Sequence, residues 1–377
     1  MKVTIISTAP PTKCGIGITN SFLMGGMEDF FNTKDLSKVG IEMSPIEKPE
    51  SLNPLYFVRL AFKTAGNLSR KNGDIIHVQY NHDCFGTIGK KLNGFQNIFF
   101  YPTLKFLNAK IITTFHEVTD LSSSSRIKKL LYRLLNFCPL HMSDHIIVTT
   151  ERAKNLIIAQ DKISPKKLTV IPLGASPNKS RIDKQLAKHI IGIPPSKKVI
   201  TIFGFVDTNK GHHKLVEILP HLREDIVFLI AGEPRSEKGK EYFSQLKDLI
   251  SHLHLSHKVH FYGFVKEEDH QKIISASDIL VYPYSDITSS LSLTTALSFK
   301  VPILASDIPP FQEFRNKFKC IKIVDVNNKE KFIKAIKTLF KKDEPNKLVK
   351  YQERFIKNFS WRNMAAETIE VYQKVAA

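Results

Sequence analysis

The stretch Asp278–Ser306, DILVYPYSDITSSLSLTTALSFKVPILAS, sets the reading of the whole chain. Asp278–Tyr284 opens it as a short apolar run with Ile, Val and Tyr, the composition of a strand buried on both faces of a parallel sheet. Asp286, Thr288, Ser289 and Ser290 then make a small polar turn. Leu291, Leu293, Ala296, Leu297 and Phe299 recur at the spacing of a short helix packed on one side. Past Lys300, Val301–Ala305 is a second buried strand. Strand, hydroxyl-rich turn, helix and strand form one βαβ unit, with the turn at the carboxyl end of a strand. Backbone N–H groups at a helix start favour an anion, so the turn reads as a phosphate site; an ordinary N-capping turn is the competing structural reading.

The same alternation extends upstream and downstream. Val199–Gly204, Ile226–Gly232, Val259–Tyr262 and Ile321–Val324 complete one series of strand-like runs, each followed by a helix-length segment. Val3–Ser7, Ile75–Gln79, Ala109–Phe115, His145–Thr149 and Leu168–Pro172 make an earlier one. The polar stretch Ser176–Lys188 separates the two. Two doubly wound parallel-sheet α/β domains in tandem are expected, divided as 1–180 and 181–359. The segment from Phe359 to Tyr372, with the sole tryptophan Trp361, reads as one or two helices.

A chain of 377 residues with 42% hydrophobic composition has room for two or three domains with sizeable cores. A formal charge of +19 points to anionic partners: phosphate-bearing substrates, an acidic membrane surface or nucleic acid, the last resting on charge alone and therefore disfavoured. Cys14, Cys84, Cys138 and Cys320 form no CxxC pair and read as reduced thiols of a cytoplasmic protein. The opening MKVTIISTAPP carries an apolar run too short for a signal peptide, and no window is apolar enough to span a bilayer. Arg126–Leu135 is amphipathic: Ile127, Leu130, Leu131, Leu134 and Leu135 share one helical face, with Arg126, Lys128, Lys129 and Arg133 elsewhere. Such a helix either turns its stripe to the core or lies on anionic lipid at the inner face of the membrane.

Other candidate residues sit where an open α/β sheet presents ligands. Gly204–Gly211 follows a strand and precedes a helix, and its Lys210 suits a phosphate as a point charge, although no Walker loop is present. Gly15 and Gly17 open a helix after the first strand but lack the third glycine of the dinucleotide fingerprint. His77, Gln79, His82 and His116 fall at or just past two strand ends. No third ligand accompanies His77 and His82, and no Asp-x-Asp pair is present, so no metal is expected.

In order, these motifs resemble the family 4 (group 1) GT-B glycosyltransferases, retaining enzymes that use nucleotide-sugar donors. Pro10-Pro-Thr-Lys-Cys-Gly-Ile16 is similar to the PPxxCGI start of one branch, and Asp74–Tyr80 with Phe85-Gly86 to its strand ending before FG. Ile112–His116 resembles the strand whose histidine lies beside the transferred sugar, Val170–Gly174 the VIPxG linker, and Phe203–Gly211 the FGR…KG loop. Ser277–Pro302 resembles the donor block, and Phe359-Ser-Trp361 the segment before a terminal helix that crosses back to the first domain.

The resemblance implies two Rossmann-like domains facing a cleft, with 360–377 joining the first. It implies metal-independent transfer of a hexose to a cell-surface glycan, glycolipid or related acceptor, and no cofactor beyond the donor substrate. His116 and Lys210 would be catalytic. Gly15, Gly17, Gly204, Tyr262, Gly263, Phe264, Asp286, Thr288, Ser289, Ser290 and Thr295 would line the donor, with Tyr262–Phe264 at the base. His77, Gln79 and His82 would lie on the acceptor side. The chain departs from the pattern in two ways. Ile287 and Thr295 stand where many members carry two glutamates, and Phe205 replaces the arginine before Lys210. The departures motivate an alternative, a non-catalytic GT-B protein that binds a nucleotide-sugar or a partner enzyme.

Overall fold

Burial on both faces explains why the apolar runs are strands. In the computed structural model Ile279–Tyr282 is a strand with every residue buried, and it pairs in parallel with strands on either side. The structure describes residues 1–9, 15–32, 40–47, 53–66, 68, 73–85, 87–88, 92–176, 181–341 and 343–377. The chain divides into two compact units, Met1–Gly174 with Trp361–Ala377, and Ala175–Ser360.

The first unit runs β1 (Lys2–Ser7), α1 (Gly15–Phe31), β2 (Gly40–Pro45), α2 (Pro54–Gly66), β3 (Ile75–Tyr80), the short pair β4 (Thr87–Ile88) and β5 (Leu92–Asn93), α3 (Asn97–Phe106), β6 (Lys110–Phe115), α4 (Arg126–Met142), β7 (His145–Val148), α5 (Glu151–Asp161) and β8 (Leu168–Val170). Its six-stranded parallel sheet has the order β2-β1-β3-β6-β7-β8. The second unit runs α6 (Lys184–Ile190), β9 (Lys198–Phe203), α7 (His212–Ile218), β10 (Ile226–Ala231), α8 (Glu237–His252), β11 (Val259–Phe261), α9 (His270–Ala276), β12 (Ile279–Tyr282), α10 (Leu291–Leu297), β13 (Ile303–Ser306), α11 (Pro309–Phe318), β14 (Lys322–Val324), α12 (Lys329–Leu339) and α13 (Asp343–Asn358). Its sheet is ordered β11-β10-β9-β12-β13-β14, again parallel throughout. The last helix, α14 (Trp361–Ala376), belongs to the first unit and packs along α1.

The strand β2 was absent from the sequence reading. It is an edge strand of exposed and half-buried residues, GIEMSP, so no apolar run marks it. It is held by its parallel ladder to β1 and by Thr4, whose hydroxyl donates to Glu42 at 2.8 Å. Strand alternation divides the side chains of β3: Ile76, Val78 and Tyr80 join the core under α2, α3 and α4, which sends His77 and Gln79 to the opposite face. On that face α1 meets α14 so closely that a Cβ on Gly26 would overlap the Trp361 backbone, while the Phe22 ring stacks on Trp361 at 5.2 Å. The far end of α14 is fixed by Lys110, whose ammonium donates to the carbonyls of Val375 and Ala376 at 2.7 and 2.8 Å, a cation on a helix carboxyl end. In the second unit, two buried clusters cover the faces of the sheet; one is built around Leu280, Tyr282 and Ile303, the other around Ile202, Phe228 and Val281. Each large apolar side chain buried this way contributes roughly 1.5–3 kcal/mol. Cys84, Cys138 and Cys320 are free and buried; Cys14, with the rest of Pro10–Cys14, and Gly86 lie outside the described residues.

Candidate functional site

In the second unit β9 and β12 are neighbours, but the chain leaves them toward opposite edges of the sheet, which makes their carboxyl ends the topological switch point. Three backbone features bring the loops after these strands together. Gly204 has a φ of +123°, and a Cβ on it would lie 3.6 Å from the Ser292 side chain. Gly211, with a φ of +67°, has no room for a Cβ because the Pro283 carbonyl oxygen occupies the space. The Ser285 amide donates to the Asn209 carbonyl at 2.9 Å. As a result the Lys210 ammonium sits 3.9 Å from the centroid of the Tyr284 ring, a cation on an aromatic face, and among the described residues no carboxylate pairs with it.

Around this ammonium the chain supplies hydroxyls. Ser290 caps α10, its oxygen accepting from the Leu293 amide at 3.2 Å, and the Ser292 hydroxyl lies 3.1 Å from Ser290 and 3.4 Å from the Tyr284 hydroxyl. Ser306 donates to the Tyr284 backbone carbonyl at 2.6 Å and ties down the chain at that residue. Asp286 is exposed, and Thr288, Ser289 and Thr295 are half-buried on the same turn and helix. Ile287 packs against the core, which accounts for an apolar side chain at this position of the turn. Tyr262, Gly263 and Phe264 follow β11 at the sheet edge. Gly263 has a φ of +89°, and a Cβ there would lie 3.5 Å from the Glu233 carboxylate. Burial, and then the Asp269 carboxylate, push the Tyr262 hydroxyl upward in pKa.

Sequence reasoning missed Ser292, Glu233 and Arg235. The Arg235 guanidinium lies 5.4 Å from the Phe205 ring, so a cation from the β10 end lies over the residue that replaces the motif arginine. The available signal was the strand end itself, since Gly232–Arg235 follows β10 directly beside Gly204.

In the first unit the switch point lies between β1 and β3. Gly17 is buried there, and a Cβ on it would come within 3.0 Å of the Thr8 carbonyl oxygen, so its missing side chain lets α1 approach β1, not a ligand. Gly15 has nothing within 4 Å and stays half-open at the helix start. His77 and Gln79 are 0% and 2% exposed, which corrects their reading as acceptor contacts: they lie beneath the surface. His77 joins Tyr372 at 2.7 Å and Thr114 at 2.7 Å, and the Gln79 oxygen meets His116 Nε2 at 2.7 Å. His116 itself is half-buried, and burial holds its pKa down to about 4. His82 packs between the rings of Tyr80 and Tyr132 at 5.4 and 5.5 Å and against Gly94, a packing role more than a surface one. Among the described residues no three His, Cys, Asp or Glu side chains gather as metal ligands.

Comparison with known proteins agrees with this architecture. Residues 32–179 match the model of Glycosyltransferase Family 4, and residues 183–359 that of Glycosyl transferases group 1. A D-inositol 3-phosphate glycosyltransferase of Corynebacterium urealyticum is 27% identical over 195 residues, which cover 50% of this chain and 46% of that protein. The UDP-Gal:alpha-D-GlcNAc-diphosphoundecaprenol alpha-1,3-galactosyltransferase of Escherichia coli is 24% identical over 60% of this chain and 59% of its own length. The matches thus span only about half the length of these relatives. The crystal structure of Anabaena HepE in complex with UDP-glucose superposes with a TM-score of 0.76 at 13% identity, covering 99% of this chain and 100% of that one. With a six-stranded parallel sheet in each unit, the chain joins a glycosyltransferase family 4-like domain to a group 1 glycosyltransferase domain, the pairing that makes a GT-B protein.

Proposed function

We propose that the chain moves a hexosyl group from a nucleotide-diphosphate sugar to a glycan, glycolipid or related cell-surface acceptor, with retention at the anomeric carbon and without a metal. The observation that carries this reading is the lock between the Gly204–Gly211 loop and the Pro283–Ser292 segment. It holds an ammonium, on an aromatic ring, beside a run of hydroxyls at the switch point. Transfer breaks the bond from the anomeric carbon to the diphosphate oxygen, so positive charge grows on the sugar and negative charge on the leaving group. Lys210 interacts more strongly with that oxygen as its charge builds, which favours the transition state over bound donor. His116 is assigned to hold the sugar against the acceptor, and Tyr262–Phe264 to line the base. Retention follows if the acceptor hydroxyl attacks from the side the diphosphate leaves, giving its proton to that phosphate. The Escherichia coli galactosyltransferase, named for a UDP-Gal donor and a diphosphoundecaprenol acceptor, and the UDP-glucose complex of HepE support a UDP-sugar donor and a lipid-linked acceptor.

The test is a titration with UDP-, GDP- and ADP-sugars, followed by thermal shift and calorimetry, on wild type and Lys210→Ala. One donor should stabilise the wild type, bind Lys210→Ala about tenfold or more weakly, and turn over about 10²–10³-fold more slowly in the mutant. A folded protein that no donor stabilises would overturn the assignment. Donor binding without turnover on any acceptor would favour the second reading, a non-catalytic GT-B protein, which the replacement of a motif glutamate by the core-packed Ile287 supports.

The same reading puts the protein on an anionic bilayer. No helix among the described residues is long and apolar enough to cross a membrane. Yet α4 turns its apolar stripe outward, with Ile127 73%, Leu130 60%, Leu134 58% and Phe137 54% exposed, and Phe106 of the adjacent α3 80% exposed. Arg126, Lys128, Lys129 and Arg133 flank the stripe, and α4 carries no acidic residue. Apolar insertion together with about 1 kcal/mol per cation at an anionic surface suits this face. Reversing Lys128, Lys129 and Arg133 to Glu should weaken sedimentation with phosphatidylglycerol vesicles by roughly a hundredfold. Unchanged sedimentation would remove the membrane from the proposal.

A further inference from the structure

We propose that Glu233 grips the ribose of the donor nucleotide, its carboxylate accepting from the 2′- and 3′-hydroxyls, and so makes the site prefer ribonucleotides to their deoxy analogues. The assignment rests on the donor reading given above, with the diphosphate at Lys210 and the base at Tyr262–Phe264.

Strand order sets where a ribose must lie. In the second sheet β10 separates β9 from β11. The loop after β9 carries Lys210, and Tyr262–Phe264 follows β11. Two strand spacings, roughly 10 Å, divide those ends, which is the scale of the ribosyl unit that joins a base to its diphosphate. The chain just past β10 therefore lies beside that unit. It is the short connection to α8, and its charged residues are Glu233 and Arg235, both exposed.

The backbone fixes Glu233 from both sides. A Cβ on Gly232 would overlap the Gly204 carbonyl oxygen, so the ends of β9 and β10 press together just before it. The Glu233 carbonyl accepts from the Val206 amide at 3.0 Å, and Val206 bridges in parallel to Pro234. Toward the sheet edge, the Tyr262 amide donates to the Ile230 carbonyl at 3.0 Å and ties the end of β11 to β10. The carboxylate points to that edge: its Oε1 would lie 3.5 Å from a Cβ on Gly263. Gly263 has a φ of +89° and no side chain to fill the space. The Arg235 guanidinium goes the other way, 5.4 Å from the Phe205 ring next to β9. Charges past β10 are thus sorted along the donor, the anion toward the base side and the cation toward the diphosphate side.

Chemistry then selects what the carboxylate takes. Among the described residues no hydrogen-bond donor or cation pairs with it. An ionised carboxylate only accepts, so it repels a phosphate and receives a group with hydrogens to give. Ribose offers two such hydroxyls on adjacent carbons, within reach of the two carboxylate oxygens. Hydrogen bonds to a charged group are strong, and a site arranged to receive hydroxyls rejects an analogue that lacks them. Glu233 is thus a specificity-determining residue, away from the reacting atoms.

The experiment is calorimetric titration of the full-length protein with UDP and with 2′,3′-dideoxy-UDP, on wild type, Glu233→Ala and Glu233→Gln. Wild type should bind UDP about tenfold or more tightly than the dideoxy analogue. In Glu233→Ala the ratio should fall to within about twofold through weaker UDP binding, with the analogue bound as before. Glu233→Gln keeps an oxygen acceptor without the charge and should fall between the two. Only the backbone of Glu233 holds the β9–β10 ladder, so both variants should melt with the wild type. A wild type that binds both nucleotides equally, or a Glu233→Ala that keeps the wild-type ratio, would overturn the ribose assignment and leave the donor reading standing. Equal loss of both nucleotides in Glu233→Ala would put the carboxylate on another part of the donor, and overturn it as well. Should UDP not bind, GDP and ADP with their dideoxy analogues take its place. A wild type that binds none of the three overturns the donor reading, and the ribose assignment with it.

Discussion

Gly232→Ala should lower the melting temperature of the unit that holds it by roughly 6–12 °C, the equivalent of about 3 kcal/mol in a domain of this size. Gly232 directly follows β10, and a Cβ there would overlap the carbonyl oxygen of Gly204, the residue just past β9. The neighbouring backbone cannot yield, because Gly204 donates to the Ala231 carbonyl at 3.0 Å and Val206 to the Glu233 carbonyl at 3.0 Å. These two bonds continue the β9–β10 ladder past both strands, so relieving the overlap means breaking at least one of them in a buried setting. The cost reaches function through the same atoms. Opening β9 from β10 moves Gly204 away from Ser292 and loosens the loop that carries Lys210, so donor stabilisation should fall together with the melting temperature. The control is Gly25→Ala. Gly25 is exposed in the middle of α1 with nothing within 4 Å, so alanine there should leave stability unchanged or raise it by up to about 1 kcal/mol. Calorimetry on the two variants checks the pair. Equal, small effects would mean that the β9–β10 ends are loosely held.

The contrast between these glycines marks what could be read in advance. Ile279–Tyr282 or Ile226–Ala231 stand out because a strand covered on both faces must be apolar at every position, and that is a local property. β2 escaped because an edge strand need not be apolar, and its ladder to β1 is set by partners it does not name. The α4 stripe was legible as amphipathic, but 3.6-residue periodicity is the same whether a face meets the core or the solvent. Only burial separates the two. At the site, the polar strand ends were visible as residue types. Their meetings were not: Lys210 reaches Tyr284 through contacts of Gly211 and Ser285 more than seventy positions apart in sequence, and His77 finds its partner on α14 at the other end of the chain. Such pairings belong to the tertiary fold, and no local pattern encodes them.

Acid should destabilise the first unit between pH 6.5 and 4, through its buried imidazoles. Burial depresses His77 to about 3, and His116 and His145 to about 4, with Lys374 and Lys167 adding repulsion at His145. In the unfolded chain each titrates near 6.5. Between those values the unfolded state binds protons that the folded state refuses, so the stability these groups contribute is fully present above pH 6.5 and is lost as the pH falls toward 4. Asp161 works against them. Burial pushes its carboxyl up to about 6, offset in part by Arg133, so the folded state takes up one proton in the same window. Three protons less one leaves a net of about two, which at about 1.4 kcal/mol per proton and pH unit gives a slope of roughly 3 kcal/mol per unit for this unit. Among the described residues of the second unit only His212 is held down as far, to about 3, fully buried with neither ring nitrogen hydrogen-bonded; His213 and His260 are lowered by burial as well, so that unit should also lose stability in acid. Trp361, the sole tryptophan, lies in the first unit, so urea titrations followed by its fluorescence report that unit alone. The urea midpoint should fall steeply from pH 6.5 to 4.5, and His145→Gln, which loses only a contact with Thr169, should remove about one proton from the slope. A midpoint that stays flat between pH 7.5 and 5 would mean that these imidazoles take up protons in the folded state, against the effect of their burial.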